Sequence, residues 1–307
     1  MSPELLIVGA GPAGVSAALW ARALELDVLL IESAPSPGGQ LHAVHFHPPD
    51  LPGIESGAGP DIAASYARQL ARQGVPVRAE VVATALEQGG ADAAPAVRLS
   101  TGERIQAQAV LIATGVRRRR LEVPGERELE GRGVSYSANR DREWLARRRV
   151  AVVGGGDGAF ENALLLTGMG CDVVLLVRGE VRARPEFRRR VAADTRIELR
   201  EHVRVTGMVG QDAVTALRLS TQAGEADEVR CEAVVVKVGV RPNTEWCREV
   251  LAHDDEGYLH IDARFAASAP GVFAAGDCTR PALPSIPVAL AHGAQAAAVI
   301  RAMLHGS

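Results

Sequence analysis

The glycines Gly9, Gly11 and Gly14 stand at fixed spacing in Gly9-Ala10-Gly11-Pro12-Ala13-Gly14, after the short apolar run Glu4 to Val8 and before an alanine-rich stretch from Val15 to Leu24. The chemistry open to residues set out this way is anion binding. The first glycine permits a tight turn, the second lets backbone approach a pyrophosphate, the third lets helix and strand pack closely, and unpaired N–H groups at the helix start face the phosphates. A second strand, Val28 to Ile31, ends in Glu32, where an acceptor for ribose hydroxyls is needed. The same order returns at Arg149 to Val153, followed by Gly154-Gly155-Gly156-Asp157-Gly158-Ala159, a helical segment through Met169 and a strand from Asp172 to Val177. Ala159 takes the place of the third glycine, an accepted variant. Val177 stands where the first copy has Glu32, so no acid favours an unphosphorylated ribose. Arg178 follows, with Arg182 and Arg184 nearby, and guanidinium groups there suit a 2′-phosphate. Two dinucleotide sites are therefore expected, the second taking NADPH, with NADH as the alternative and simple solvation as the other account of the arginines.

Positioning two such sites takes an α/β fold with two Rossmann-like, three-layer dinucleotide-binding domains. A length of 307 residues accommodates both. The strand-like run Ala109 to Ile112, with its small-residue turn Ala113-Thr114-Gly115, has a counterpart in Gly271 to Asp277 near the end of the chain. Sequence of the first domain thus resumes after the second, so the second is inserted into the first. The expected boundaries are 1–117 and 244–307 for the split domain and 118–243 for the insert. A closing helix from about Ala289 to Leu304 would aim its positive N-terminal end at the first cofactor.

Composition narrows the function classes. Hydrophobic residues at 47% and charged residues at 23% describe a compact globular protein. A formal net charge of -3 gives no overall attraction to nucleic acid or anionic lipid. No basic leader opens the chain and no apolar run reaches about 18 residues, so a cytoplasmic location without membrane contact is expected. The four cysteines, Cys171, Cys231, Cys247 and Cys278, form no C-x-x-C pair and no metal-ligand cluster. His42, His45 and His47 lack a completing cysteine or acid, so no metal site is expected. Lys237 is the only lysine, and sequence alone assigns it no role.

Several stretches together resemble the low-molecular-weight thioredoxin reductases and the thioredoxin-reductase-like ferredoxin-NADP reductases. They are Gly9 to Gly14, Gly38-Gly39-Gln40-Leu41, Ala113-Thr114-Gly115, Leu121 to Glu126, Gly154 to Ala159, Gly239 to Thr244 and Ala274 to Asp277. The resemblance spans essentially the whole chain and implies FAD in the split domain, NADPH in the insert, a homodimer, and hinges at Gly115 to Leu121 and Arg241 to Glu245. It implies an FAD set of Gly9, Gly11, Pro12, Ala13, Gly14, Glu32, Gly39, Gln40, Leu41, Ala113, Thr114, Gly115, Gly276, Asp277 and Gln295. The nicotinamide-nucleotide set is Gly154, Gly156, Asp157, Gly158, Ala159, Arg178 and Arg182.

One departure changes the chemistry. The family's redox-active Cys-Ala-Thr-Cys-Asp segment is replaced by Ser137-Ala138-Asn139-Arg140-Asp141. Without the two thiols the usual route from flavin to disulfide is closed. Asp141, whose counterpart donates a proton in the family, is the one candidate catalytic residue, and an ordinary surface acid is the alternative. The expected activity is NAD(P)H-dependent transfer of electrons from FAD directly to an external acceptor, either a ferredoxin- or flavodoxin-like protein or a small molecule. A flavin reductase or oxidase of a small organic substrate, and a redox-sensing flavoprotein with little turnover, are the alternatives. The basic runs Arg117 to Arg120, Arg147 to Arg149 and Arg188 to Arg190 would steer an acidic electron carrier, or else are solvated faces.

Overall fold

The computed structural model describes residues 2–45, 47–48, 51–88, 94–221 and 223–306. The chain divides into two compact units, Met1–Arg117 with Arg241–Ser307, and Arg118–Val240. The return to the first unit comes at Arg241 rather than after residue 243, because Asn243 already belongs there: its backbone N–H donates to Gly115 O at 3.0 Å and its side-chain amide to Thr114 O at 2.9 Å. The crossing segments themselves, Val116–Arg118 and Val240–Pro242, pair as a two-stranded ribbon.

In the first unit a five-stranded parallel sheet runs in the order Val272–Ala274, Ala109–Ile112, Leu5–Val8, Val28–Ile31, Val77–Arg78. Leu5 to Val8 and Ala109 to Ile112 are buried along their whole length, as strands covered on both faces must be. Alternation sorts their side chains: Leu5, Ile7 and Leu111 meet the helices Pro12–Ala23, Gly59–Arg72 and Ile286–His305. Leu6, Val8 and Ile112 meet the antiparallel sheet of Ala83–Glu87, Ala96–Leu99 and Arg104–Gln106.

The second unit repeats this plan. Its five-stranded parallel sheet has the order Ile197–Arg200, Asp172–Leu176, Arg149–Val153, Ala233–Val236, Val134–Ser135. Val150, Val152, Val173 and Val235 pack on the helices Asp157–Gly168 and Pro185–Ala193, while Ala151, Val153, Val174 and Val234 pack on a three-stranded antiparallel sheet, Val203–Gly210, Val214–Thr221 and Ala226–Arg230. Both units are thus three-layer, Rossmann-like folds.

Helix starts come earlier than the sequence pattern implies. The first helix begins at Pro12, where proline's fixed φ and missing N–H are tolerated. The last begins at Ile286 and has Ser285 as its cap, accepting from Val288 N at 3.4 Å. That helix is long and apolar enough, by length and composition, to cross a membrane. Here Ala289, Gly293, Ala296, Ala297 and Ile300 are buried within the first unit's core. A Cβ on Gly293 would come within 2.0 Å of Ala13 O, so only glycine permits this approach to the Pro12 helix.

Candidate functional site

The first glycine loop is built where the parallel strands end. Gly9 has φ +103°, and a Cβ there would meet Ala113 O at 2.6 Å, which sets the loop directly against the Ala113-Thr114-Gly115 turn. Gly38 N donates to Ala10 O at 2.8 Å, and a Cβ on Gly39 would lie 3.0 Å from Gly11 Cα. One on Gly276 would touch the Ala13 methyl at 2.9 Å. Gly9 to Gly14, Gly39, Ala113 to Gly115 and Gly276-Asp277 therefore converge on one cradle. Gly11 faces open space, with nothing within 4 Å of an added Cβ. Leu41 is buried beneath the cradle, whereas Gln40 and Gln295 are exposed.

Glu32 closes the cradle's edge. Its buried carboxylate accepts Ala10 N at 2.7 Å through Oε2, and Ala34 N at 2.8 Å with Ser33 Oγ at 3.0 Å through Oε1. A carboxylate offers about four acceptor positions, so one stays open to a ribose hydroxyl. Thr114 Oγ1 and Asp277 Oδ1 are buried without a hydrogen-bond partner, a state that costs free energy unless a ligand supplies one. Burial also holds the Asp277 carboxyl above its ordinary value. Orphaned polar atoms beside an open glycine loop fit a dinucleotide carrying a hydroxylated chain, as FAD does. His292 Nδ1 is orphaned as well, its ring edge-on to Phe265 at 5.1 Å, and burial lowers its pKa, favouring the neutral imidazole.

In the second loop an added Cβ on Gly154 would strike Lys237 O at 2.2 Å, while Gly156 and Gly158 face open space. Ala159 is buried under the loop. Arg182 N donates to Gly155 O at 2.7 Å, which folds the arginine-bearing segment back onto the glycines. Asp157, at the start of the helix, is taken by Arg184, whose backbone N–H and guanidinium reach it at 2.7 and 2.6 Å. Among the described residues the exposed side chains of Arg178 and Arg182 hold no hydrogen bond or ion pair, so both remain available to a phosphate. Arg184, grouped by the sequence with Arg178 and Arg182, is instead committed to Asp157.

The segment that lacks the thiols is tied into a polar network. Ser135 Oγ donates to Asp141 Oδ2 at 2.6 Å and accepts Ser137 N at 3.0 Å, and Arg140 grips Asp141 through two N–H bonds of 2.8 and 2.7 Å. Burial alone would raise the Asp141 carboxyl, but the bonds from Arg140 and Ser135 and the Arg140 charge outweigh it and hold it below the ordinary carboxylate range. Asp141 is therefore an ionised, hydrogen-bonded partner at neutral pH, which suits anchoring better than proton donation. Beside it Lys237 Nζ donates to Tyr136 O at 3.0 Å. Burial first, then the charge of Arg118, push the Lys237 ammonium down to about 8.

That displacement is a statement about stability. The fold disfavours the charged lysine, so between pH 8 and 10.5 the unfolded chain binds more protons and stability rises with pH. Lys237→Met is expected to stabilise the protein at pH 7 by roughly 1–3 kcal/mol, with the gain shrinking towards pH 10. Urea unfolding at both pH values measures this; equal or lower stability of the variant at pH 7 would contradict it.

The basic run Arg117 to Arg120 is not an open basic face. Arg117 binds Asn243 and Glu245, Arg118 donates to Tyr136 O at 2.8 Å, Arg119 to Val240 O at 2.8 Å, and Arg120 pairs with Glu130 at 2.7 Å. Arg149 and Arg190 have carboxylates at 3.7 and 3.8 Å. All four cysteines are buried and unpaired, and burial pushes Cys231, Cys247 and Cys278 up to about 12. Such thiols stay protonated and inert. At pH 8 an aromatic disulfide reagent is expected to modify them only at the rate of unfolding, and a fast-reacting cysteine in the native protein would refute this. Among the described residues no group of three or more metal-ligating side chains is assembled.

A family model described as pyridine nucleotide-disulphide oxidoreductase matches residues 3–293. An alkyl hydroperoxide reductase subunit of Pseudomonas putida is 32% identical over 301 residues, covering 95% of this chain and 56% of that protein. The bifunctional thioredoxin reductase/thioredoxin of Mycobacterium leprae is 34% identical over 278 residues, covering 89% and 60%. The chain thus spans less than two thirds of the length of these curated relatives. Among solved structures, thioredoxin reductase of Lactococcus lactis superposes with a TM-score of 0.83 at 29% identity, covering 97% of each chain. Bacillithiol disulfide reductase Bdr of Bacillus cereus shares the fold, with a TM-score of 0.77 at 22% identity over 99% of this chain and 100% of that one.

Proposed function

Because the chain belongs to the pyridine nucleotide-disulphide oxidoreductase family, we propose that it binds FAD in its first unit and NADPH in its second, and delivers electrons directly to an external acceptor. The observation that carries this reading is the combination of two open glycine cradles with a redox segment, Ser137 to Arg140, that holds no thiol. Bound FAD would supply the acceptor for a nicotinamide hydride and the donor to the oxidant. The chain's own residues bind and orient. Glu32 would accept from a ribose, Thr114 and Asp277 would pair with hydroxyls of the linking chain, and Gly11 would admit the pyrophosphate. The positive amino end of the Ile286–His305 helix would favour negative charge on a flavin bound beside it. Arg178 and Arg182 would pair with a 2′-phosphate and so favour NADPH over NADH.

A small acceptor is favoured over an acidic electron-carrier protein, since the arginines of the Arg117 to Arg120 run are spent on internal partners. Replacing all four cysteines by serine or alanine tests the thiol-free route. NADPH-dependent reduction of a quinone or of ferricyanide is expected to survive with its kcat unchanged. Loss of that activity in a folded, FAD-replete variant would show that electrons do pass through a thiol.

A further inference from the structure

We propose that Arg118 and Lys237, at the carboxyl ends of the Val134–Ser135 and Ala233–Val236 strands, form a binding site for an oxyanion, the carboxylate or phosphate group of a small acidic ligand. Lys237 is pinned there by its backbone: its N–H donates to Val153 O at 2.8 Å and its carbonyl abuts Gly154. The sheet order runs outward from Arg149–Val153 in both directions, so Lys237 stands at the point where the strand order reverses. In open α/β sheets that is where ligands sit.

The case rests on charge that the protein leaves uncompensated. Arg118 and Lys237 both end on one neutral acceptor, Tyr136 O, at 2.8 and 3.0 Å. The carboxylate whose charge reaches Arg118, Asp141, is held by Arg140 and Ser135. Arg140 also adds like charge to Arg118, and Glu161, exposed on the Asp157–Gly168 helix, reaches Lys237 only through its field. Of the carboxylates whose charge reaches these three cations, only Asp141 is hydrogen-bonded within the network, and it is committed to Arg140 and Ser135, while Glu130 and Glu161 act through their fields alone. Partly buried cations are costly without a counter-charge, and burial together with a neighbouring cation pushes both Arg118 and Lys237 below their ordinary values. An ammonium has three N–H donors and a guanidinium five. Among the described residues Lys237 and Arg118 each use theirs on the Tyr136 carbonyl alone, leaving donors enough to grip an oxyanion. The site lies on the side of Gly154 away from Arg178 and Arg182, which follow the Asp172–Leu176 strand, so it is separate from the expected 2′-phosphate contacts. It stands on the second unit alone and does not depend on the flavin reading.

Lys237 is the only lysine, which makes it individually addressable. The test is the rate of reductive methylation of Lys237 in the full-length, FAD-loaded protein, read by peptide mass spectrometry in chloride, inorganic phosphate and citrate at matched ionic strength. The expected result is several-fold slower modification in phosphate or citrate than in chloride, with the protection abolished in Arg118→Gln. That variant keeps a donor for the Tyr136 carbonyl while losing the charge, and an unchanged near-ultraviolet dichroism spectrum verifies its fold. Equal rates in the three salts, or undiminished protection in Arg118→Gln, would overturn the proposal. So would protection by NADP+ with none by phosphate or citrate, which would give the cluster to the nucleotide. Because no turnover is read, failure here is distinguishable from failure of the reductase reading.

Discussion

Gly14→Ala is expected to yield a protein that purifies without FAD and unfolds far more readily, whereas Gly11→Ala, in the same loop, keeps its fold and loses only cofactor affinity. A Cβ on Gly14 would lie 1.8 Å from Gly9 O and 3.0 Å from Gly9 C. Both are backbone atoms of the turn that the Pro12 helix packs against, so relief demands lifting the helix off the sheet rather than turning a side chain. Overpacking against backbone belongs at the upper end of its range, about 3 kcal/mol or more. At Gly11 the added methyl group meets nothing within 4 Å, and its φ of -71° suits alanine. The methyl there occupies only space that a pyrophosphate would use. Urea unfolding of the apoproteins, paired with FAD titration, separates the two effects. Equal destabilisation by both substitutions would contradict the assignment of Gly11 to the ligand and Gly14 to packing.

Glu32→Ala is expected to destabilise the first unit by roughly 2–3 kcal/mol and to abolish tight FAD binding. Its carboxylate serves Ala10 N, Ala34 N and Ser33 Oγ. Removing it leaves the Ala10 N–H stranded inside the glycine loop, in addition to removing the acceptor for the ribose. Glu32→Gln retains one acceptor oxygen but turns an amide donor toward backbone donors, so an intermediate loss is expected. The check is FAD content after dialysis together with the urea midpoint. Stoichiometric FAD and an unshifted midpoint in Glu32→Ala would refute the role.

The two glycine fingerprints, their flanking strands Val28–Ile31 and Arg149–Val153, and the placement of Glu32 were legible because each is local: a short apolar run, a glycine turn and a terminal side chain suffice. The turns that carry Thr114 and Asp277 were legible as matching small-residue ends of apolar strands, whereas the approach of Gly39 to the same loop could be reached only through family resemblance, since its segment carries no strand pattern of its own. Helix starts at Pro12 and Ile286 were missed because apolar periodicity begins after the first turn, where proline and the cap set the true boundary. Charge runs misled. Arg117 to Arg120 reads as a basic patch, yet Arg117 and Arg118 lie on a paired strand whose successive residues point in different directions, Arg119 and Arg120 follow it, and each of the four finds its own partner. Lys237 carried only the signal of being the single lysine. Its meeting with Arg118 runs through the Tyr136 carbonyl, a main-chain atom that no motif encodes.

The central claim, a flavoprotein reduced by NADPH that needs no thiol, is tested most directly by anaerobic stopped-flow mixing of the FAD-loaded protein with NADPH and with NADH, followed at the flavin absorbance band. The account predicts rapid bleaching by NADPH, slower bleaching by NADH, and loss of that preference in Arg178→Gln/Arg182→Gln. Negligible bleaching by both nucleotides would contradict it and leave the second glycine loop without its assigned ligand.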